Sequence, residues 1–278
     1  MVGAEGQLGR ALVARLGADL AWAGGRAGLD VGDPAAVERR LAEVRPDVVF
    51  NAAAWNAVDL AETRFAEALL VNAAGPAHLA RAARACGARL VHVSTDYVFD
   101  GTATRPYVED DPPRPLSLYG VSKLAGEQAV AASGGEHLVV RTSAVLGVGA
   151  SRSKGGSFVE RIVARARARQ PLRVVGDQVF SPTYAPDLAA ALVGLAERGA
   201  RGLVHVTNSG TCSWHGLAVA ALELAGAAAP VAEIRSDELG APARRPAYSV
   251  LSNERAVALG LAPLRPWREA LAELLRGA

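Results

Sequence analysis

The sequence predicts an α/β protein built on a doubly wound parallel sheet, followed by a smaller C-terminal lobe. Three short runs rich in apolar and β-branched residues stand between Ala- and Leu-rich stretches of helical length; they are Asp47–Asn51, Ala88–Ser94 and His137–Thr142. Strands that alternate with helices in this way form βαβ units, and their parallel sheet is covered by helices on both faces.

The helical stretches follow from the spacing of apolar residues. Leu8, Leu12 and Leu16 recur every four residues, which predicts a first helix with one apolar face. Further helices are predicted near 61–73, 75–86 and 119–132. From about residue 147 the pattern loosens into Gly-, Ser- and Pro-rich stretches. We therefore expect a first domain over 1–146 and a lobe over 147–278, some segments of which return to the sheet.

The beginning of the sequence departs from this pattern. A glycine-rich loop that opens a helix should follow a strand of five or six residues, yet only Met1 and Val2 precede Gly3. Either the first strand is missing or the recorded start lies too far downstream. We favour the second interpretation, because the loss of a central strand would leave two neighbouring strand edges unpaired.

Composition and charge exclude several classes of protein. The 278 residues carry 30 basic and 28 acidic side chains, and the arginines at 161, 165, 167 and 169 fit a solvated helix face better than a nucleic-acid patch. Neither a signal peptide nor a run of about 18 apolar residues is found. Cys86 and Cys212 are interpreted as reduced thiols, and we expect a cytoplasmic protein without membrane or nucleic-acid partners.

Gly3, Gly6 and Gly9 are the first chemical signal. Glycines at three-residue spacing that open directly into a helix allow backbone N–H groups and the helix N-terminus to meet a pyrophosphate. Because strands and helices then alternate, this loop predicts a Rossmann-type dinucleotide site.

The nature of the dinucleotide depends on the next strand, which we expect near Asp19–Ala23. An acidic residue at its end favours NAD, whereas a basic residue accommodates the 2′-phosphate of NADP. Here the strand runs into Gly24, Gly25 and Arg26, without a carboxylate. Arg26 therefore favours NADPH, with NADH as the alternative.

Tyr119 and Lys123 form the strongest local pattern, since a spacing of four places both side chains on one helix face. We expect the ammonium to lower the pKa of Tyr119 and to make it a proton donor. Thr95, at the end of the preceding strand, can hydrogen-bond a substrate carbonyl and polarise it for hydride attack.

Beyond these residues, several longer stretches show that the chain resembles an extended short-chain dehydrogenase/reductase, and within that superfamily the dTDP-4-dehydrorhamnose reductases. The matching stretches cover nearly the whole chain in order; they are Gly3–Gly9, Asn51–Asp59, Ser94–Gly101, Tyr119–Glu127, Arg141–Ser143, Asp177–Gln178, Ser181–Thr183, Ala243–Pro246, Ser249 and Leu251.

The resemblance implies a role for each matching residue. Tyr119 would be the proton donor, Lys123 would anchor the nicotinamide ribose, and Thr95 would orient the sugar ketone. Asp96 would hold sugar hydroxyls and Arg245 would lie near the nucleotide diphosphate. The implied cofactor contacts are Gly6, Gln7 and Leu8 at the pyrophosphate, Asp30 and Val31 at the adenine, and Ala52, Ala53 and Ala54 towards the nicotinamide, with Asn72 in support.

Two departures from the family pattern stand out. Where many members have a tryptophan that packs on the substrate, this chain has Ala144, and the following segment 147–156, with Arg152 and Lys154, is longer. The sugar pocket is therefore expected to have a different wall. An acidic position that serves magnesium in some members is Ala11 here, so we doubt that a metal is bound.

The resemblance implies NADPH-dependent reduction of the C4 ketone of dTDP-4-dehydro-6-deoxy-L-mannose. Two alternatives stay open: a reductase or epimerase of another nucleotide-deoxysugar, and a catalytically idle nucleotide-binding regulatory subunit. The expected partners are the nucleotide-sugar substrate and, as a candidate, a second copy of the chain.

Overall fold

The computed structural model describes residues 1–148, 156–227 and 229–277. Its strands, in chain order, are β1 (Val48–Asn51), β2 (Arg89–Thr95), β3 (His137–Thr142), β4 (Val145–Leu146), β5 (Leu172–Val175), β6 (Val179–Phe180), β7 (Thr183–Tyr184), β8 (Gly202–His205), β9 (Cys212–Ser213) and β10 (Val231–Ile234). The central sheet has the order β1-β2-β3-β8 and is parallel throughout. The predicted α/β class and the three predicted strands are confirmed.

The helices largely follow the predicted stretches. They are α1 (Gln7–Leu16), α2 (Pro34–Val44), α3 (Val58–Ala61), α4 (Phe65–Leu69), α5 (Gly75–Ala85), α6 (Leu118–Ala131), α7 (Phe158–Arg167), α8 (Ala185–Glu197), α9 (Trp214–Leu224), α10 (Glu254–Ala258) and α11 (Trp267–Arg276). The helix predicted near 61–73 is present from Phe65, where α4 begins and runs on into the π-helical segment Leu70–Ala74, while α3 before it is separate. Between them the hydroxyl of Thr63 donates to the carbonyl of Leu60 and competes with the helical ladder.

Helices cover both faces of the central sheet. On one face α1 and α8 pack together, and Leu12 and Leu192 are fully buried there. On the other face α2 and α5 pack together around Val37 and Leu79, which are also fully buried. Strands buried on both faces need apolar side chains in both directions, which explains why β1 to β3 are near-continuous apolar runs.

Met1 and Val2 lie where the first strand of the sheet was expected. Val2 forms parallel bridges to Gly24 on one side and to Asn51 on the other. The position of the strand is therefore occupied, but by two residues only. The strand predicted near Asp19–Ala23 is wrong: Gly17–Asp19 is a 3-10 turn, and Gly24 alone bridges to Val2. Two paired strands can be no longer than the shorter of them, so residues 19–23 find no partner beyond the short Met1–Val2 segment.

The C-terminal part of the chain contributes to both the sheet and a second core. Strand β8 pairs with β3 in the central sheet, and α8 packs on α1. Helix α10 also joins the first core through Ala256, whereas α7, α9 and α11 pack around the aromatic rings of Phe158, Phe180 and Trp214. Its small sheets are β5 with β10, β4 with β7 and β6 with β9. The smaller lobe thus has its own hydrophobic core beside the carboxyl ends of the central strands.

Two expectations about surfaces can be compared with the structure. The arginines at 161, 165, 167 and 169 are exposed, while Ile162 and Val163 on α7 are buried, so the arginines form a solvated face. Across the described ranges, none of the helices combines the length and the apolar character needed to cross a bilayer.

His205 closes β8 and is completely buried, with its Nδ1 3.2 Å from the carbonyl oxygen of Tyr107. Burial, and secondarily the charge of Arg141, lower the pKa of His205 to about 3. The folded protein therefore holds this imidazole neutral at a pH where the unfolded chain, with an ordinary pKa of about 6.5, takes up a proton. The stability that this neutral histidine contributes is present above pH 6.5 and is lost as the pH falls.

We expect the His205→Gln variant to lose less free energy of unfolding between pH 7.5 and 5.5 than the unaltered protein. The difference should be about 1.4 kcal/mol, because pH 5.5 lies one unit below the unfolded pKa. Urea denaturation at the two pH values measures it. His137→Gln is the matched control on a partly exposed histidine of the same sheet. Equal pH dependence of the His205→Gln variant and the unaltered protein would refute the assignment.

Candidate active site

The loop Gly3–Gly9 turns directly into α1, as predicted. Gly3 has a φ of +82°, and a Cβ atom added there would lie 2.5 Å from the backbone nitrogen of Ala53. A Cβ added to Gly9 would lie 2.1 Å from the carbonyl oxygen of Gly3. Only glycine allows this backbone contact between loop, helix and the end of β1. Gly6 caps α1 without a side chain, so the N–H groups of the first turn stay available to an anion.

The region expected to hold the adenosine contains both a basic and an acidic side chain, Arg26 and Asp30. The Arg26 side chain is 77% exposed and lies 3.8 Å from the carboxylate of Asp30, and Val31 next to it is buried. No carboxylate stands at residues 24–26 in the sequence, but the fold brings one there from another segment. A Cβ added to Gly25 would lie 2.3 Å from the carboxyl carbon of Glu5, so the phosphate loop itself places a carboxylate there. The sequence distance between Glu5 and Gly25 hid this contact.

Asn51 ends β1 and connects the sheet to the cofactor loop. Its Oδ1 accepts a hydrogen bond from the backbone nitrogen of Ala53 at 3.1 Å, and its Nδ2 lies 3.1 Å from Nδ1 of His92. Asn51 and His92 are both buried. The pair fixes the backbone of Ala52–Ala54 against Gly3, where the resemblance places the path to the nicotinamide.

Tyr119 meets Thr95 across the end of the central sheet. Ser117 caps α6 by accepting from the nitrogen of Gly120 at 3.2 Å, which sets Tyr119 in the first turn. The Tyr119 hydroxyl lies near Thr95 at the end of β2. The predicted lowering of the Tyr119 pKa is wrong: burial raises it to about 12, and the interaction with Thr95 only partly opposes this. The phenol is therefore protonated at neutral pH.

Lys123 lies one turn after Tyr119 and is almost fully buried. Its Nζ donates to the carbonyl oxygen of Val93 at 2.7 Å. Burial lowers the pKa of Lys123 to about 8, and the carboxylate of Glu127 partly opposes the shift. The Lys123 ammonium is thus hydrogen-bonded to β2 and not to Tyr119, which explains why it does not lower the pKa of Tyr119.

Asp96 is held by hydroxyl groups from both parts of the chain. Its Oδ2 accepts from Ser143 Oγ at 2.7 Å and from Ser249 Oγ at 2.5 Å, and its Oδ1 accepts from Thr95 at 3.1 Å. The residue is 2% exposed, and burial raises the pKa of its carboxyl group to about 6 against these hydroxyl donors. Asp96 is thereby placed to orient Thr95, and a direct contact with sugar hydroxyls would require one of the serines to give way.

Arg245 reaches the same site from the C-terminal lobe. Its Nη2 donates to the carboxylate of Asp59 at 2.8 Å, and its guanidinium also lies near the hydroxyl of Tyr97. The ring of Tyr97 packs edge-on against the ring of Tyr119, with 5.9 Å between the centroids. The structure therefore brings Arg245 to within one aromatic ring of Tyr119.

Asn72 lies in the π-helical segment Leu70–Ala74 and is completely buried. Its amide exchanges hydrogen bonds with the backbone of Trp55 at 2.8 and 2.9 Å and donates to Ser122 at 3.0 Å. A Cβ added to Gly126 would lie 2.0 Å from the carbonyl oxygen of Asn72, so α6 packs directly on this segment. Asn72 thus supports the site through the protein, and its assignment as a direct cofactor contact is not favoured because its amide is fully engaged.

Ala144 turns the chain between β3 and β4. It has a φ of +39°, in the left-handed region, and its side chain packs against the core of the C-terminal lobe. The conformation directs the preceding Ser143 towards Asp96. Arg152 and Lys154, expected to alter the pocket wall, lie outside the described residues.

A metal site was doubted on the ground of Ala11. Among the residues that the structure describes, no three His, Cys, Asp or Glu side chains come together as potential ligands.

The ion pair of Glu127 and Arg141 holds these elements in place and was not predicted. Arg141 on β3 donates to both carboxylate oxygens of Glu127 on α6, at 2.9 and 2.7 Å, and Ser94 on β2 donates to the same carboxylate at 2.5 Å. The two charged side chains are 3% and 5% exposed. The sequence offered one sign of this pair: Arg141 stands in an apolar predicted strand, where a buried arginine needs an acidic partner.

The comparisons with known proteins agree with this geometry. The sequence model of the protein family described as RmlD substrate binding domain matches residues 1–278. A dTDP-4-dehydrorhamnose reductase of Mycobacterium tuberculosis is 46% identical over 284 residues, which cover 99% of this chain and 91% of the relative. A probable dTDP-4,6-dihydroxy-2-methyloxan-3-one 4-ketoreductase of Streptomyces antibioticus is 43% identical over 279 residues, 98% of this chain and 92% of the relative.

A solved structure shares the fold over its whole length. The crystal structure of dTDP-4-dehydrorhamnose reductase from Bacillus anthracis in complex with NADP superposes with a TM-score of 0.95 at 33% identity. The match covers 100% of this chain and 98% of that chain.

We expect the Glu127→Gln variant to lose about 3–5 kcal/mol of unfolding free energy, because it leaves the charge of Arg141 buried without a counter-ion. Urea denaturation measures the loss. The matched control is Glu223→Gln, which removes the partner of Arg268 from an ion pair that is 54% exposed on each side and should cost less than about 1 kcal/mol. Equal losses in the two variants would show that the buried pair does not hold the site together.

Proposed function

The chain belongs to the family of the RmlD substrate binding domain, and from this membership we propose that it reduces the C4 ketone of dTDP-4-dehydro-6-deoxy-L-mannose to dTDP-L-rhamnose. NADPH is the proposed reductant and Tyr119 the proposed proton donor. The observation that carries the proposal is the contact of the Tyr119 hydroxyl with Thr95, at the edge of the sheet beside the glycine loop.

The residues at this edge fit a bound dinucleotide. The uncapped first turn of α1 and the close approach of Gly3 to Ala53 leave N–H groups for a pyrophosphate. The exposed Arg26 side chain can reach a 2′-phosphate, which is consistent with the NADP that is bound to the B. anthracis relative. When bound, the reduced nicotinamide supplies the hydride to the ketone carbon.

The protein supplies the proton. A ketone that accepts a hydride develops negative charge on its oxygen, and a neutral phenol within hydrogen-bond reach can protonate it. Tyr119 is kept in that form by burial. The Thr95 hydroxyl donates to Asp96 and accepts from the nitrogen of Tyr97, so it would donate to the ketone only by turning its proton away from Asp96.

The sugar nucleotide is proposed to lie between the two parts of the chain. Arg245 comes from the C-terminal lobe and offers a planar guanidinium, which suits a diphosphate. In the structure this guanidinium is paired with Asp59, so the substrate would share or replace that partner. Ser249 comes from the same lobe and meets Asp96 directly beneath Thr95.

A second candidate is the reduction of another nucleotide-deoxysugar. Ala144 supports it, because the small residue stands where many family members have a tryptophan against the substrate. The S. antibioticus relative, a probable 4-ketoreductase of a different dTDP-sugar, gives further support. An idle nucleotide-binding subunit is disfavoured, since such a protein has no physical reason to keep Tyr119, Thr95 and Lys123 together.

The purified chain is expected to oxidise NADPH, followed at 340 nm, when it is given dTDP-4-dehydro-6-deoxy-L-mannose. The assay is run with NADPH and NADH and with a panel of dTDP-4-keto-6-deoxysugars. A preference for another sugar in the panel would favour the second candidate. Absence of turnover with every 4-ketosugar nucleotide, in protein shown to be folded, would sink the reductase proposal.

The Tyr119→Phe variant should bind NADPH as the unaltered protein does but lose about 10²–10⁴-fold in kcat, because it lacks the general acid. Fluorescence titration measures the dissociation constant, and the coupled change in NADPH absorbance measures kcat. Tyr97→Phe, the matched control on the neighbouring ring, should keep most of the turnover. A Tyr119→Phe variant with nearly full kcat would show that the proton comes from another group, with Asp96 the first to test.

A further inference from the structure

Gly25 stands at the position where a dinucleotide fold of the NAD-binding type carries an acidic residue. Gly24 before it accepts hydrogen bonds from the backbone nitrogens of Gly3 and Ala4, at 2.9 and 3.1 Å, so this segment lies directly against the glycine loop. In that fold an Asp or Glu about 20 residues after the loop binds the adenosine ribose. At Gly25 the chain has no side chain for this purpose.

The carboxylate of Glu5 occupies the space that such an acid would fill. A Cβ atom added to Gly25 would lie 2.3 Å from the carboxyl carbon of Glu5, and 2.5 and 2.6 Å from its two oxygens. Any side chain at residue 25 would therefore collide with this carboxylate. The two positions complement each other, since Gly25 leaves the room and the glycine loop supplies the acid from the opposite side.

The backbone of Glu5 is held in place, whereas its side chain is accessible. Arg10 on α1 donates from Nε to the carbonyl oxygen of Glu5 at 3.1 Å. The bonds from Gly3 and Ala4 to Gly24 fix the loop on its other side. Glu5 itself is exposed. A ligand that reaches this edge of the glycine loop can therefore meet the carboxylate.

The nearby Arg26 is also surrounded by carboxylates. Its Nε lies 3.8 Å from Asp30. The hydrogen bond from Arg64 holds the pKa of Glu67 below its ordinary value, and the charge of Arg26 adds to this lowering. A phosphate monoester carries a charge of about −1.5 to −2 at neutral pH. A 2′-phosphate beside Arg26 would thus be repelled by Glu5 and Asp30, whereas a free ribose hydroxyl can donate to a carboxylate.

We propose that Glu5 is a specificity-determining residue for the dinucleotide, because its carboxylate accepts from the adenosine ribose hydroxyls and disfavours a 2′-phosphate. The inference rests on the proposed use of a nicotinamide cofactor. Arg26 and Glu5 then act in opposite directions, and the balance between them sets the relative affinity for NADPH and NADH. Removal of the Glu5 charge should shift that balance towards NADPH.

The test compares the Glu5→Gln variant with the unaltered protein by isothermal titration calorimetry, with NADPH and with NADH and without a sugar substrate. Glutamine keeps the shape of the side chain but removes its charge. The NADH dissociation constant divided by that of NADPH should therefore rise about tenfold, mainly through tighter binding of NADPH. In about 1 M NaCl, where the Debye length is about 3 Å, this difference between the variant and the unaltered protein should shrink.

The matched control is Glu269→Gln, which removes the same charge from an exposed position on α11 in the C-terminal lobe and should leave the ratio unchanged. The proposal is overturned if Glu5→Gln keeps the ratio of the unaltered protein, or if the control changes it equally. The titrations need no turnover. An unchanged ratio would therefore leave the reductase assay unaffected, and a chain that reduced none of the ketosugars could still show the shift.

Discussion

Glu127 and Arg141 occupy the interior between α6 and the central sheet, where a single unpaired charge would be strongly destabilising. Glu127 follows Lys123 by four residues and Tyr119 by eight, so all three side chains lie on one face of α6. Arg141 is fixed in turn, because its guanidinium stacks 5.0 Å from the ring centre of Phe99. The ion pair therefore sets the height and rotation of α6 against β2 and β3. The contact between Tyr119 and Thr95 depends on that setting.

The second constraint is the attachment of the C-terminal lobe. Ser249 binds Asp96, and Arg245 binds Asp59, so both links join the lobe to the edge of the sheet where the cofactor loop ends. Each link uses a carboxylate from the first domain and a donor from the lobe. The lobe is thus attached to Asp96, which also accepts from Thr95, and to Asp59 through Arg245. A substrate that displaced Arg245 from Asp59 would break one of these two links, while the hydrogen bond between Ser249 and Asp96 would remain.

Sequence reasoning located the parts of the site that depend on local spacing. Tyr119 and Lys123 are one helical turn apart and Thr95 ends a strand, so the helical periodicity and the end of the predicted strand were enough to identify these three residues. Long-range pairs left no such signal: Ser249 and Asp96 are 153 residues apart, and Arg245 and Asp59 are 186 apart. The strand predicted near Asp19–Ala23 failed for a related reason, since strand pairing needs a partner of sufficient length and Met1–Val2 is too short. Glu5 was overlooked because only the folded loop brings it to Gly25.

Burial explains the error about the pKa of Tyr119. The spacing of Tyr119 and Lys123 predicted an ammonium close to the phenol, but Lys123 is drawn to the carbonyl of Val93 and its own pKa is lowered to about 8. Desolvation then dominates and raises the pKa of Tyr119 to about 12. At neutral pH such a phenol can give a proton but is a poor base. Reduction of a ketone needs the proton donor, whereas oxidation of the alcohol needs the phenolate. The protonated form of Tyr119 is the form that the proposed reduction would use.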